Sequence, residues 1–150
     1  MSTPEERLAE LGLSVPEVAA PVAAYVPAVR SGAHVFTSGQ LPLREGTLIT
    51  TGKVGAEVSL EDAVECAKQC ALNAIAAINA EVGDLSLVKR VVKVVAFVAS
   101  SPDFTGQPKV ANGASELLGT VFDGVHARSA VGVVALPLNA PVEVEVIVEL

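Results

Sequence analysis

The chain has 150 residues, 51% of them apolar, which fits a single domain with a sizeable core. With one Tyr, four Phe and no Trp, that core must be built from Val, Ala, Leu and Ile, and valine runs favour strands. Seventeen acidic residues face ten basic ones, giving a formal charge of -7. The basic cluster at Lys89, Arg90 and Lys93 is small, so this charge argues against nucleic acid as a partner.

The sequence carries no targeting or membrane signal. Its first residues, from Met1 to Arg7, are polar and acidic, unlike a secretory or transit peptide. No segment approaches the roughly 20 apolar residues that a membrane span needs. Two cysteines give no disulfide framework. We therefore expect a cytoplasmic protein with no membrane partner.

The N-terminal part predicts a short helix. Thr3 is a suitable N-cap, Pro4 is suited to the first helical position, and Gly12 marks the end. We interpret residues 1–17 as a helical extension of one domain that spans residues 1–150.

Extended structure and a hairpin are predicted next. Residues 18–27 are rich in Ala, Val and Pro, have no clear period, and are predicted to be extended. Residues 28–39 predict a hairpin with its turn at Ser31-Gly32. Residues 41–55 predict a loop with one short strand around Leu48.

The clearest helix begins at Ser59 and ends at Gly83, with Glu61 and Asp62 in its first turn. Its apolar side chains form one stripe at helical spacing, made of Leu60, Ala63, Val64, Ala67, Ala71, Ala74, Ile75 and Ile78.

Residues 91–99 are almost continuously apolar, which is typical of a strand covered on both faces. Something other than the helices must then lie against the sheet, and a second subunit is a natural candidate. Residues 110–121 predict another amphipathic helix, and two strands close the domain. The order βββαβαββ predicts an α+β fold, a mixed sheet with two main helices on one face.

Two polar residues in the last quarter of the chain suit chemistry on a small carboxylate. Arg128 stands at the start of a β-branched run, and arginine grips a carboxylate with a bidentate fork. Glu143 lies in an apolar alternation, where a half-buried carboxyl with a raised pKa can handle a water or a proton. If the fold brings them together, they form a hydrolytic site that needs neither cofactor nor metal.

Each of these residues has a plainer interpretation. Arg128 can be a solvent-exposed strand residue, and Glu143 and Glu145 can simply form the solvent-exposed face of their strand. Tyr25, the single tyrosine, can be a core or interface aromatic as readily as a pocket residue. For Glu145, a solvent-exposed position is the preferred interpretation.

Further candidates are weaker. Cys66 and Cys70 lie one helical turn apart, yet without nearby histidines they are expected to be small buried residues rather than metal ligands. His34 and His126 are candidate bases, but a lone histidine is more often structural or exposed. Because His126 precedes Arg128 by two residues, it can face the same cleft.

Several motifs in chain order resemble the Rid family, also called YjgF or L-PSP endoribonuclease-like. Residues 25–42 are similar to its first hairpin, with Ser38-Gly39-Gln40 as the best marker. Phe104 and Asn112 fall where the family has a phenylalanine and an asparagine before its second helix. The remaining matches within residues 18–150 are Ala71-Leu72-Asn73, Ala127-Arg128-Ser129, Leu136-Pro137 and Val142-Glu143-Val144-Glu145.

The resemblance implies a chorismate-mutase-like fold and a homotrimer with active sites in the clefts between subunits. It also implies hydrolytic deamination of enamine or imine intermediates to 2-keto acids and ammonia. Arg128 would bind the substrate carboxylate and Glu143 would position or activate the water. Tyr25 would line the pocket, Gly39 would offer backbone, and Asn112 would sit at the subunit boundary.

Two departures from the family pattern bear on this expectation. Ala130 stands where many members have cysteine, which preserves a backbone N–H for the carboxylate but removes any thiol role. Residues 105–109 lengthen the approach to the second helix. These departures indicate a divergent branch and motivate an alternative, a non-catalytic trimer that binds a small metabolite or a regulatory partner. Endoribonuclease activity is a third and disfavoured hypothesis, because of the negative charge.

Overall fold

The computed structural model describes residues 2–20 and 24–150. Its elements in chain order are α1 (Pro4–Glu10), β1 (Ala28–Ser31), β2 (His34–Thr37), β3 (Leu43–Arg44), β4 (Thr47–Leu48), α2 (Leu60–Val82), β5 (Arg90–Ala99), α3 (Gln107–Phe122), β6 (Ala127–Val133) and β7 (Val142–Glu149). One sheet has the strand order β1-β2-β7-β5-β6, and β3 and β4 form a separate ribbon. Strands β5 and β6 are parallel and the other neighbours are antiparallel. The predicted α+β architecture with a mixed sheet is confirmed.

Most predicted elements lie where the sequence placed them. The hairpin of β1 and β2 turns at Gly32, and α2 runs from the Ser59 cap to Gly83, whose φ of 80° suits a residue without a side chain. The predicted loop over residues 41–55 contains two short strands instead of one. Of the predicted extended stretch, residues 18–20 and 24–27 contain no strand, and residues 21–23 lie outside the described part.

Helix α3 differs from its prediction. It begins at Gln107 rather than at residue 110, since Pro108 fits the first turn of a helix, where its missing N–H costs nothing. Asn112 lies inside this helix, whereas the resemblance placed it before the second helix. The lengthened approach at residues 105–109 is partly the first turn of α3.

The core lies between the helices and one face of the sheet. Along β7 the burial alternates strictly: Val142, Val144, Val146 and Val148 are buried, and the residues between them are half-buried. Strand β5 is covered on its helix face, and its other face is only half-buried within one chain. Leu8 of α1 is fully buried in the same core. We call the uncovered side of the sheet the open face.

A row of amide groups fastens the segment after β2 to α2. The Asn73 side-chain nitrogen donates to the carbonyl oxygens of Leu41 and Leu43, both at 2.9 Å. Asn73 accepts in turn from Gln69 at 3.2 Å, and Gln69 accepts from Arg44 at 3.3 Å. Because these groups are largely buried, each needs its partner, and together they fix the path of residues 41–44.

The cysteines are buried, as the sequence predicts. Cys66 and Cys70 are free thiols with no exposed surface. Burial, with a smaller contribution from Asp62, raises the pKa of Cys66 to about 11, and burial also raises the pKa of Cys70. The Cys70 thiol lies 3.6 Å from the carbonyl oxygen of Val142 in β7. Across residues 2–20 and 24–150, no cluster of His, Cys, Asp or Glu could hold a metal ion, and no helix is long and apolar enough to cross a membrane.

Helices α2 and α3 approach closely at Gly113. A Cβ atom there would overlap the carbonyl oxygen of Val64, a backbone atom that cannot move independently. We expect Gly113→Ala to lower the free energy of unfolding by about 1–3 kcal/mol through overpacking. Chemical denaturation would measure the change.

Gly119 on the same helix is the matched control. A Cβ there would meet only the Gly124 carbonyl oxygen, at 3.4 Å, an ordinary contact. Gly119→Ala should be neutral or raise stability by up to about 1 kcal/mol, because alanine has the higher helix propensity. Equal stability of the two variants would contradict the close approach at Gly113.

Candidate active site

Arg128 lies on the helix face of the sheet, near the start of the edge strand β6. It is the register partner of Val94 in β5, a fully buried residue under the helices, and neighbours in register share a face. The arginine side chain reaches α3, where it makes three hydrogen bonds. Nη1 donates to Asn112 Oδ1 at 2.7 Å and to Ser115 Oγ at 3.2 Å, and Nη2 donates to the Pro108 carbonyl oxygen at 3.3 Å.

These three acceptors, the Pro108 carbonyl oxygen, Asn112 Oδ1 and Ser115 Oγ, are here called the acceptor set of Arg128. All three are uncharged. In the described part of the chain the only ion pair within 4.0 Å joins Arg90 and Glu149, so no carboxylate there pairs with Arg128. The guanidinium is therefore oriented without losing its charge, and an anion that approaches it meets the whole of that charge.

His126 stands beside this group, directly before β6. Its Nε2 lies 2.9 Å from Ser115 Oγ. Burial, followed by the positive charge of Arg128, lowers the pKa of His126, and both effects favour the neutral imidazole. The sequence left open that His126 faces the same side as Arg128, and the structure places it there.

Glu143 lies on the open face of the sheet. It is the register partner of Phe97 in β5, and its neighbours in β7, Val142 and Val144, point to the opposite side. Burial first, and then the like charge of Glu145, raise the pKa of Glu143. A carboxyl with a raised pKa can both accept and return a proton near neutral pH.

Gly39 packs directly against this carboxyl. A Cβ atom on Gly39 would overlap the Glu143 side chain, so a larger residue there would displace the carboxylate from its present position. Gly39 and Tyr25 also line one small pocket, together with Leu41 and Leu43, whose carbonyl groups Asn73 holds. Tyr25 is 43% exposed, so its ring is not a core residue of a single chain.

The structure thus groups the predicted residues into two half-sites. We call Arg128 and its acceptor set the arginine half-site, and Tyr25, Gly39 and Glu143 the glutamate half-site. Strands β6 and β7 flank β5, which sets them roughly 10 Å apart. The partners of Arg128 and Glu143 in β5 are Val94 and Phe97, an odd number of residues apart. The two side chains therefore point to opposite faces, and one chain does not bring them together.

Ala130 follows Arg128 by two residues, so its side chain is on the helix face and its backbone runs along the sheet edge. Sequence reasoning missed Ser115, which contacts both Arg128 and His126. Its position three residues after Asn112, one helical turn on, is the signal that could have found it.

The comparisons with known proteins agree with this fold. A family model described as Endoribonuclease L-PSP matches residues 16–150. Protein TCP17 of Trypanosoma cruzi is 47% identical over 146 residues, which cover 95% of this chain and 91% of that protein. A crystal structure of Atu1372 from Agrobacterium tumefaciens, a protein of unknown function, is 46% identical with a TM-score of 0.92, covering 98% of this chain and 92% of that one.

One relative has a named activity. A 2-iminobutanoate/2-iminopropanoate deaminase of Dermatophagoides farinae is 34% identical over 137 residues, 91% of this chain and 93% of that protein. These matches extend over nearly the whole chain. The chain belongs to the endoribonuclease L-PSP family, also known as the Rid or YjgF family.

The raised pKa of Glu143 predicts a pH-dependent cost to the fold. An acid whose pKa is higher in the folded than in the unfolded chain stabilises the fold when it is protonated. This stabilisation is complete below the unfolded pKa of about 4.3 and is lost as the pH rises through the folded pKa. Glu143→Gln should therefore match the wild type at about pH 4 and be more stable than it at about pH 7. Denaturation curves across this range would measure the difference.

Glu145→Gln provides a second variant for the same experiment. Removing the Glu145 charge should lower the pKa of Glu143, so the pH at which stability is lost should move down. An identical stability gain for Glu143→Gln at every pH would contradict the assigned shift.

Proposed function

We propose that the protein hydrolyses small enamine or imine intermediates that carry a carboxylate, giving 2-keto acids and ammonia. The single observation that carries this proposal is the Arg128 guanidinium, which is held by neutral acceptors and keeps its charge. Such a group fits a small anion, and the family supplies the reaction class through its 34% identical deaminase.

The chemistry needs only residues of this chain. Arg128 would fix the substrate carboxylate with its planar group. Water would add to the carbon of the protonated imine as Glu143 takes one of its protons, giving a carbinolamine. Glu143 would return that proton to the nitrogen, and its freed carboxylate would take the hydroxyl proton as ammonia leaves. A 2-keto acid remains, and Glu143 passes the proton to solvent. An enamine would first take a proton on carbon to become the same imine.

We further propose that each active site combines the half-sites of two copies of the chain in a homotrimer. Apolar side chains on the open face support this: Val29 is 53% exposed, and Phe36 and Val131 are each 44% exposed. A sheet with an apolar face normally has that face covered. A neighbouring copy on this face could bring its Arg128 to Glu143 of the first copy.

Tyr25 and Gly39 would then line the wall opposite the arginine. Gly39 would offer its backbone next to the reacting carbon, and Tyr25 would close the pocket with its ring. Ala130 would supply a backbone N–H on the arginine side. Because alanine has no thiol, the proposed reaction uses none.

Mixed oligomers test the shared site directly. Chains carrying Arg128→Ala and Glu143→Gln, each with its own tag, would be co-expressed and purified through both tags. If each site takes Arg128 from one copy and Glu143 from the next, every doubly tagged trimer has one intact site. We expect about one third of the wild-type activity, although each variant alone is inactive.

The control is a doubly tagged oligomer of one variant with itself, which should stay inactive. If Arg128 and Glu143 acted from the same chain, no mixed oligomer would have an intact site. Activity at the level of the single variants would therefore overturn the shared site. Sizing of the mixed oligomer would check the trimer itself.

The reaction is measured by generating imines from several amino acids with an amino-acid oxidase and trapping the surviving imine with semicarbazide. Loss of the semicarbazone with wild type but not with Arg128→Ala is the expected result. No effect of either protein on the trapped imine would favour the alternative, a non-catalytic trimer that binds a small metabolite. RNA cleavage is not expected from a chain with a formal charge of -7.

A further inference from the structure

The acceptor set leaves the Nε–H and one Nη2–H of the Arg128 guanidinium without a hydrogen-bond partner in the described part of the chain. A guanidinium has five N–H donors, and three of them are taken, two on Nη1 and one on Nη2. The remaining donors are on Nε and Nη2, which share one edge of the planar group. That pair is the fork with which arginine grips a carboxylate.

Ser115 links this arrangement to His126. Because Arg128 Nη1 donates to Ser115 Oγ, the hydroxyl accepts from the arginine and its own proton is left to find an acceptor. His126 Nε2, at 2.9 Å, is that acceptor when the imidazole is neutral and carries its proton on Nδ1. The hydrogen bonds then run in one direction, from Arg128 to Ser115 to His126.

Without His126 the serine would have a competing choice. A serine within a helix can turn its hydroxyl toward the carbonyl four residues before it, here that of Ala111. By accepting the Ser115 hydroxyl proton, the imidazole keeps that proton turned away from the helix. The lone pairs of Ser115 Oγ are then directed toward Arg128. His126 does this without adding charge.

We propose that Ser115 and His126 are positioning residues for Arg128, and that with Asn112 they select for a carboxylate by orienting an uncompensated guanidinium. This inference rests on the proposed function, because it requires Arg128 to bind the substrate. Ser115 and His126 act through the arginine and do not themselves contact the substrate.

The inference is tested by calorimetric binding of 2-oxobutanoate, a 2-keto acid of the proposed product class, to the intact protein. Ser115→Ala and His126→Phe should each weaken binding about tenfold, since a displaced arginine loses its alignment with the carboxylate. Ser115→Thr and His126→Gln keep the hydroxyl and the acceptor, and should restore most of the affinity.

Asn112→Asp tests the charge directly. It places a carboxylate where Oδ1 lies 2.7 Å from Nη1, with almost no change in shape. The resulting ion pair should weaken 2-oxobutanoate binding more than Ser115→Ala does, on the order of 100-fold. Thr120→Ala on the exposed side of the same helix removes a hydroxyl away from the arginine and should bind as the wild type does.

A neutral comparator separates positioning from general damage. The wild type should prefer 2-oxobutanoate to 2-oxobutanamide, and this ratio should fall in Ser115→Ala and His126→Phe. A merely structural loss would weaken both ligands equally and leave the ratio unchanged, which would overturn the inference.

The remaining outcomes divide cleanly between the two proposals. If Arg128→Ala abolishes binding but Ser115→Ala and His126→Phe bind as the wild type does, the positioning role is wrong and the carboxylate site stands. If Arg128→Ala binds 2-oxobutanoate as tightly as the wild type, or the wild type does not bind it at all, the proposed carboxylate site is wrong. The positioning role, which depends on that site, is then wrong as well.

Discussion

The strict alternation of β7 is the constraint on which the rest of the structure depends. Its four valines are buried under the helices, so every residue between them must point away from the helices. The same period fixes the sides of β5 and β6 through their registers. A shift of one residue would turn the face with the three glutamates of β7 toward the core and expose the valines, so the register has a strong energetic preference.

The two half-sites differ in the electrostatic surroundings of their charged residue. The arginine is surrounded by neutral oxygens that orient it and leave it charged, whereas the glutamate is partly buried beside a second acid, which favours its protonated form. One group is thus suited to static recognition and the other to proton exchange. Keeping them on opposite faces prevents an ion pair between them within a chain, which would satisfy both charges and lower the pKa of Glu143.

Local signals in the sequence predicted most of the fold. The Ser59 cap, the Gly83 stop and the apolar stripe between them define α2, and the valine alternation defines β7. The sequence could not place Arg128 and Glu143 on opposite faces, because each face depends on pairing with β5, a contact between distant segments. Ser115 was missed for the same reason, because it contacts Arg128 and His126 only when α3 packs against β6. The start of α3 was wrong because Pro108 favours a first helical turn, which the apolar period alone does not reveal.

The two buried thiols turn the interface between α2 and the sheet into a reporter of folding. Both lack exposed surface, and their raised pKa values keep them protonated and unreactive at neutral pH. Alkylation of Cys70, which contacts the Val142 carbonyl group, therefore requires this helix to separate from β7. The rate of alkylation would report how often the core opens, without any introduced label.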